Sequence, residues 1–289
     1  MIAERMLLHR ILRKINRHRT TDLYFVGYPK TGNTWVTYML GRYIQLLCDR
    51  LEIPLFDTTD PMGRCQRFCV GPRMQFTHRP LDWNVQRADD LTYDNVVRPF
   101  EDKRVVLIVR HPLDTLVSHW LYRKHRRDQY GRLVWHDDLD LNSFVEHPVW
   151  GIEKFFRFYS LWHESQELVK SVWLLRYEDM RTEPDKTFAL LLQFLKISKK
   201  EDELHQAVAD ADFANMRKVE KFGEAPKLPS SGYSIFGAAD RSNPEAFHVR
   251  RGKVGGFRDY FEEKDVQPLL ERIERRLPIF FGYSVDSRR

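Results

Sequence analysis

One stretch of the chain, Gly27-Tyr28-Pro29-Lys30-Thr31-Gly32-Asn33-Thr34-Trp35, has the residue types to hold an anion. It lies between a short apolar run, Leu23–Val26, and a stretch with helical spacing that begins near Thr34. Backbone N–H groups at a helix N-terminus have no intrahelical acceptor and favour negative charge. Gly32 can take a positive φ and puts no side chain between backbone and ligand. Lys30 adds a positive charge, and Thr31, Asn33 and Thr34 add donors. The order differs from a Walker A loop, because Lys30 precedes Gly32 instead of following it. A tight strand-to-helix turn without a ligand accounts for the same residues.

A second group is Arg110-His111-Pro112-Leu113-Asp114-Thr115-Leu116-Val117-Ser118. Val105–Val109 is an apolar run that ends at Arg110, and Pro112 suits the first turn of a helix. Parallel α/β sheets bind ligands outside the carboxyl ends of their strands, which puts Arg110 at the same edge as Lys30. Ser118 falls about two helical turns further on. An arginine and a hydroxyl there can grip a second anion. The alternative is an Arg110–Asp114 pair with Ser118 inside a helix. A third group, Phe76-Thr77-His78-Arg79-Pro80, ends an apolar stretch at a histidine. On residues alone His78 has no stronger claim than the ten other histidines.

The elements that must position these groups follow from periodicity. Leu23–Val26, Val105–Val109 and Val172–Leu175 read as buried strands. Helical spacing follows each: Trp35 to Leu47, Leu113 to Leu121, and Phe188 to Leu195. Ile152, Phe155, Phe156, Tyr159 and Trp162 make an aromatic core stripe, and Val266 to Leu277 a last helix. This alternation predicts a single α/β domain over 21–289, with a central parallel sheet flanked by helices. Residues 1–20 predict a basic amphipathic helix. Leu8, Ile11, Leu12 and Ile15 fall on one stripe, and Arg10, Arg13, Lys14 and Arg17 lie off it. That face suits a membrane surface, a partner or the domain itself. Residues 221–256, rich in Gly, Pro and Ser, predict a lid over the ligand.

The net charge of +6 suits an acidic ligand, a nucleic acid or an anionic membrane. No apolar run reaches the roughly 20 residues of a membrane span, and residues 1–20 carry charge throughout, so a cytoplasmic protein is expected. Cys48, Cys65 and Cys69 make no disulfide framework. Cys65, Cys69 and His78 lack a fourth ligand, so no metal site is expected.

Taken together, Tyr-Pro-Lys-Thr-Gly-Asn-Thr-Trp and, some 75 residues on, Arg-His-Pro-x-Asp-x-x-x-Ser resemble the sulfotransferase family that uses adenosine 3′-phosphate 5′-phosphosulfate (PAPS). The resemblance runs from about Asp22 to about Tyr283. It includes Leu174–Met180 and Arg250-Arg251-Gly252. It implies the family's P-loop-kinase-like fold and transfer of a sulfuryl group from PAPS to an acceptor hydroxyl. The product would be adenosine 3′,5′-bisphosphate (PAP), and the scheme requires no metal. Lys30, Thr31, Gly32, Asn33 and Thr34 would hold the 5′-phosphosulfate, with Lys30 also catalytic. Arg110 and Ser118 would hold the 3′-phosphate, and Arg250, Arg251 and Gly252 would close over it. Trp35 would lie against the adenine, Tyr177 would contact the nucleotide, and Phe213 would carry over from an adenine-facing segment. His78 would be the general base. Phe76 stands where cytosolic members have a lysine, and Arg79 is a candidate to replace it.

Two other classes remain in view. A P-loop kinase or NTPase would share the strand–loop–helix but needs a strand ending in Asp to organise Mg²⁺, and Val105–Val109 ends in Arg110. A nucleic-acid or membrane-surface module would use the basic clusters Arg123–Arg127 and Arg250–Arg258. The acceptor stays open: carbohydrate, lipid or another small molecule. Phe68, Phe76, Trp83, Tyr122, Tyr130, Trp135 and Phe236 are aromatics expected in loops, where they would line its pocket or join the core. The oligomeric state is open too.

Overall fold

The computed structural model describes residues 19–50, 71–78, 85–125, 138–222 and 242–283. The basic stretch before residue 19, Cys65 and Cys69, Arg79, Phe68, Trp83, Tyr130, Trp135, Phe236 and the heart of the expected lid lie outside them.

In chain order the elements are β1 (Leu23–Gly27), α1 (Asn33–Arg50), β2 (Met74–Thr77), α2 (Tyr93–Val96), β3 (Arg104–Val109), α3 (Pro112–His125), α4 (Leu141–Val145), α5 (Ile152–Ser165), β4 (Ser171–Arg176), α6 (Tyr177–Thr182), α7 (Pro184–Leu195), α8 (Glu201–Asp210), α9 (Phe213–Phe222) and α10 (Glu263–Arg276). The strands form one parallel sheet in the order β2-β1-β3-β4. Leu23 pairs with Met74 on one side and Arg104 on the other. The chain therefore leaves β1 toward β2 and then crosses back to β3. That reversal opens a crevice beyond the carboxyl ends of β1 and β3, where such sheets bind ligands.

Strand alternation divides the core. Tyr24, Val26, Val105, Leu107 and Val109 face the layer that holds α3, α5 and α10. Leu23, Phe25, Val106, Ile108 and Leu175 face α1, α7 and α8. Near-continuous apolar strands are what a sheet covered on both faces requires. The aromatic stripe of α5 is core: Phe155, Phe156, Tyr159 and Trp162 are all buried.

Three features depart from the expectations. Phe76 lies in strand β2, not a loop, and stacks on Phe25 at 4.1 Å, so it belongs to the sheet packing. Tyr122 lies on α3. Helices α8 and α9 were not expected; they fill the second layer through Leu204, Ala207 and Met216. Among the described residues no helix is long and apolar enough to cross a membrane.

Candidate active site

The β1–α1 loop is built by its glycines. Gly32 has φ +114°, and a Cβ there would stand 2.9 Å from the Tyr177 ring. Only glycine tolerates both the conformation and the contact. A Cβ at Gly27 would meet Thr31 Oγ1 at 2.7 Å and Asn33 Oδ1 at 2.8 Å. Lys30 itself has φ 74°, an uncommon conformation for a residue with a side chain. Thr31 turns inward: its N–H and hydroxyl both donate to the Tyr28 carbonyl, at 3.3 and 2.8 Å. Thr31 is fully buried, so its side chain shapes the loop and does not reach the cleft.

The β3–α3 corner is held from beneath. Glu178 accepts from the His111 N–H at 2.8 Å and from the Tyr283 hydroxyl at 2.9 Å. Burial pushes its carboxyl above the usual range, and these hydrogen bonds oppose that shift. The Arg110 guanidinium lies 4.2 Å over the Tyr177 ring. Its Nη1 donates to the Lys30 carbonyl at 3.4 Å, and its Nε has no partner among the described residues. Arg110 thus touches the first loop and keeps a donor in reserve.

Asp114 is not the partner of Arg110. It accepts from the backbone N–H groups of Gly255 and Phe257, at 2.8 and 2.9 Å. The 250–257 segment is thereby tied to α3, which places Arg250 and Arg251 beside Arg110 and Ser118. Gly252, φ +60°, lies against Phe213 so closely that a Cβ would come within 2.6 Å of that ring. The segment's upstream end is pinned by buried Glu220, which accepts from the His248 and Val249 N–H groups at 2.7 and 2.8 Å. Trp35 donates to the Ala211 carbonyl at 2.9 Å and meets Tyr177 edge-on at 5.4 Å.

These elements enclose a cleft of about 390 Å³, within the size range of nucleotide and drug pockets. Lys30, Gly32, Asn33, Thr34, Trp35, His78, Arg110, Ser118, Tyr177, Phe213, Arg250, Arg251 and Gly252 all line it. Thr31 alone among the expected site residues does not. Its described wall carries Lys30, Arg110, Arg181, Arg250 and Arg251 and no Asp or Glu.

His78 follows β2 directly, and its Nδ1 lies 2.8 Å from the Gly27 carbonyl. A carbonyl only accepts, so Nδ1 carries the ring proton and the lone pair is on Nε2. The ring is open to the cleft but surrounded by protein. That desolvation, with the charge of Lys30, lowers its pKa below the usual imidazole value against the opposing pull of Gly27.

The cleft also holds residues that were not among those expected to bind the donor. Among them are His119, Arg181, Met216 and His248, and Tyr122, which the sequence offered for the acceptor. Helical spacing was the signal for most of them. Tyr122 is four residues from Ser118, Arg181 four from Tyr177 and Met216 three from Phe213, so each shares a helix face with an expected residue.

A family model described as a sulfotransferase domain matches residues 20–280. The chain belongs to the sulfotransferase family. It is a PAPS-dependent sulfotransferase of the α/β class, as the motifs implied. Curated relatives agree. Cytosolic sulfotransferase 15 of Arabidopsis thaliana is 25% identical, over 89% of this chain and 72% of the relative. Sulfotransferase 1A1 of Bos taurus is 24% identical over 83% and 78%. Among solved structures, mouse sulfotransferase SULT7A1 complexed with PAP superposes with TM-score 0.57 at 20% identity, covering 89% of this chain and 84% of that one. Retinol dehydratase in complex with androsterone and PAP gives 0.57 at 14%, covering 89% and 80%. At these identities the structural likeness speaks for the fold.

Proposed function

We propose that this sulfotransferase holds the two anionic ends of PAPS in the cleft and passes its sulfuryl group to the hydroxyl of a small-molecule or glycan acceptor, with His78 as general base. The observation that carries this reading is the wall of five cationic side chains, with no carboxylate among the described residues that line it. Such a wall suits a polyanion that arrives without Mg²⁺. A kinase needs an acidic residue to organise the metal.

Lys30 and the α1 N-terminus face the 5′-phosphosulfate, and Arg110, Ser118, Arg250 and Arg251 the 3′-phosphate. Trp35, Tyr177 and Phe213 give the adenine its aromatic surroundings. The acceptor oxygen attacks sulfur in line, and the bond from sulfur to the 5′-phosphate oxygen breaks. The acceptor proton passes to Nε2 of His78, the nitrogen with the lone pair. Charge growing on the departing oxygen is met by Lys30 and the loop N–H groups. The leaving group is PAP. A small hydroxylated acceptor is supported by the retinol dehydratase neighbour, whose structure contains androsterone. The word "cytosolic" in the names of the curated relatives supports a cytoplasmic location.

The test is a thermal-shift titration. PAP should raise the melting temperature by mass action. A larger rise with ATP and Mg²⁺ would overturn the donor assignment.

A further inference from the structure

The residue after Ser118 has no part in the scheme above, yet its placement is unusual. His119 is on α3, lines the cleft and is only 7% exposed. Its ring meets Phe144 edge-on at 5.5 Å. That ring makes no hydrogen bond to any described residue, and its Nδ1 is closed from solvent without a partner. A buried imidazole without a partner is destabilising, so its retention on a cleft wall needs an explanation.

The surroundings narrow what it can meet. Burial first, then the charges of Arg123, Lys30, Lys154 and His78, hold its pKa down to about 3. At neutral pH the ring is therefore uncharged and carries one N–H. The cations around the ring repel a cationic ligand, and the ring's N–H is free to donate. It fits an oxygen that bears negative charge, and such an oxygen is also drawn there by the cations. Lys30, which faces the phosphosulfate, and His78, which faces the acceptor hydroxyl, line the same cleft as this ring. The group that lies between those two in the proposed complex is the sulfuryl group.

We propose that His119 is a catalytic residue that donates its imidazole N–H to a non-bridging oxygen of the sulfuryl group. This rests on the PAPS reading above. His119 transfers no proton: the acceptor proton still goes to His78, and the electron pair of the breaking S–O bond still leaves with PAP. Its contribution is to stabilise charge on the SO₃ group while sulfur is shared between two oxygens. Ser118 and His119, neighbours on one helix, then serve opposite ends of the donor. Ser118 holds the 3′-phosphate, which PAP and PAPS share, and His119 holds the sulfuryl group, which only PAPS has.

That difference gives a test that needs no acceptor. Dissociation constants for PAPS and PAP are measured by calorimetry for the full chain, His119→Phe and His119→Gln. A hydrogen bond to a charged group is worth roughly a tenfold change in affinity. His119→Phe should weaken PAPS about tenfold and PAP less than twofold, and His119→Gln, which keeps an N–H, should recover most of the loss. Equal weakening of both nucleotides, or no weakening of either, overturns the proposal. If wild type binds neither nucleotide, the donor reading itself fails, which is a separate result. Should Phe not fold, imidazole ¹⁵N resonances of the wild-type chain decide. His119 should shift on adding PAPS and not on adding PAP, and the same response to both would refute the contact.

Discussion

The two ends of the cleft are built differently. The end proposed for the donor's phosphates, from Arg110 and Ser118 to Arg250–Gly252 and here called the donor end, is made of permanent charge on well-tied supports. Arg110 is stacked on Tyr177, Asp114 ties down the closing segment through Gly255 and Phe257, and Gly252 is packed against Phe213. The end proposed for the transfer step, here called the transfer end, holds His78 and His119, two imidazoles whose pKa values are lowered below the usual value. Permanent charge suits a ligand part that is bound and released unchanged. Neutral imidazoles suit the part where a proton moves and charge is redistributed. The contrast implies that substitutions at the donor end change affinity for PAP, whereas substitutions at the transfer end change turnover.

The sharpest way to break this division is His78→Ala. Loss of a general base costs about 10²–10⁴-fold in kcat, and PAP binding, measured by calorimetry, should stay within twofold. Retained turnover would remove His78 from the reaction, and lost PAP affinity would make its role structural. The mirror experiment is Arg110→Ala. Removing charged hydrogen bonds to a phosphate, at about 1.5–3 kcal/mol, should weaken PAP by about 10²-fold. At saturating PAPS, kcat should change far less. A smaller effect is expected from Gly252→Ala. The new methyl group would overlap the Phe213 ring in a backbone conformation that costs about 1–3 kcal/mol for a residue other than glycine. PAP affinity should fall about tenfold in a filter or calorimetric assay, and an unchanged affinity would detach this segment from the donor site.

The same two ends differ in how legible they were in the sequence. The donor end was written locally. Lys30, Gly32 and Arg110 each sit where a strand gives way to a helix, so their edge of the sheet follows from periodicity alone. The three strands first read came out within a residue or so at either end, because apolar runs that short fit a strand better than a helix; β4 is the least covered of them, with only Leu175 fully buried. Strand β2 was harder, since Met74–Thr77 is only four residues with one fully buried position. Asp114 was open to pairing with Arg110 because its donors, the backbone N–H groups of Gly255 and Phe257, are about 140 residues away. His119 could not be singled out by type: its environment depends on Arg123 and Lys154 from two helices and on Lys30 from a loop. Burial of a titratable group is a property of the packed core, and no short window of sequence contains it.

The smallest expected effect concerns stability and sharpens the account of the transfer end. His119 has a folded pKa of about 3 against about 6.5 in the unfolded chain. Between these values the unfolded chain binds a proton that the folded chain refuses. Stability from this group is thus complete above about pH 6.5 and is lost as pH falls toward 3. The slope is at most about 1.4 kcal/mol per pH unit, or roughly 2 °C in melting temperature for a chain of this size. Carboxylates contribute their own slope below about pH 5, so the informative window is pH 6.5 to 5. There His78, also lowered, adds in the same direction. His119→Phe should flatten the melting-temperature profile in that window by about 2 °C per unit, and His78→Ala should flatten it further. A His119→Phe profile parallel to wild type would mean that folding does not lower the pKa of His119 and that the ring takes up its proton across that window as in the unfolded chain. The neutral character assigned to the transfer end would then be wrong for that residue, while the permanent charge of the donor end would stand.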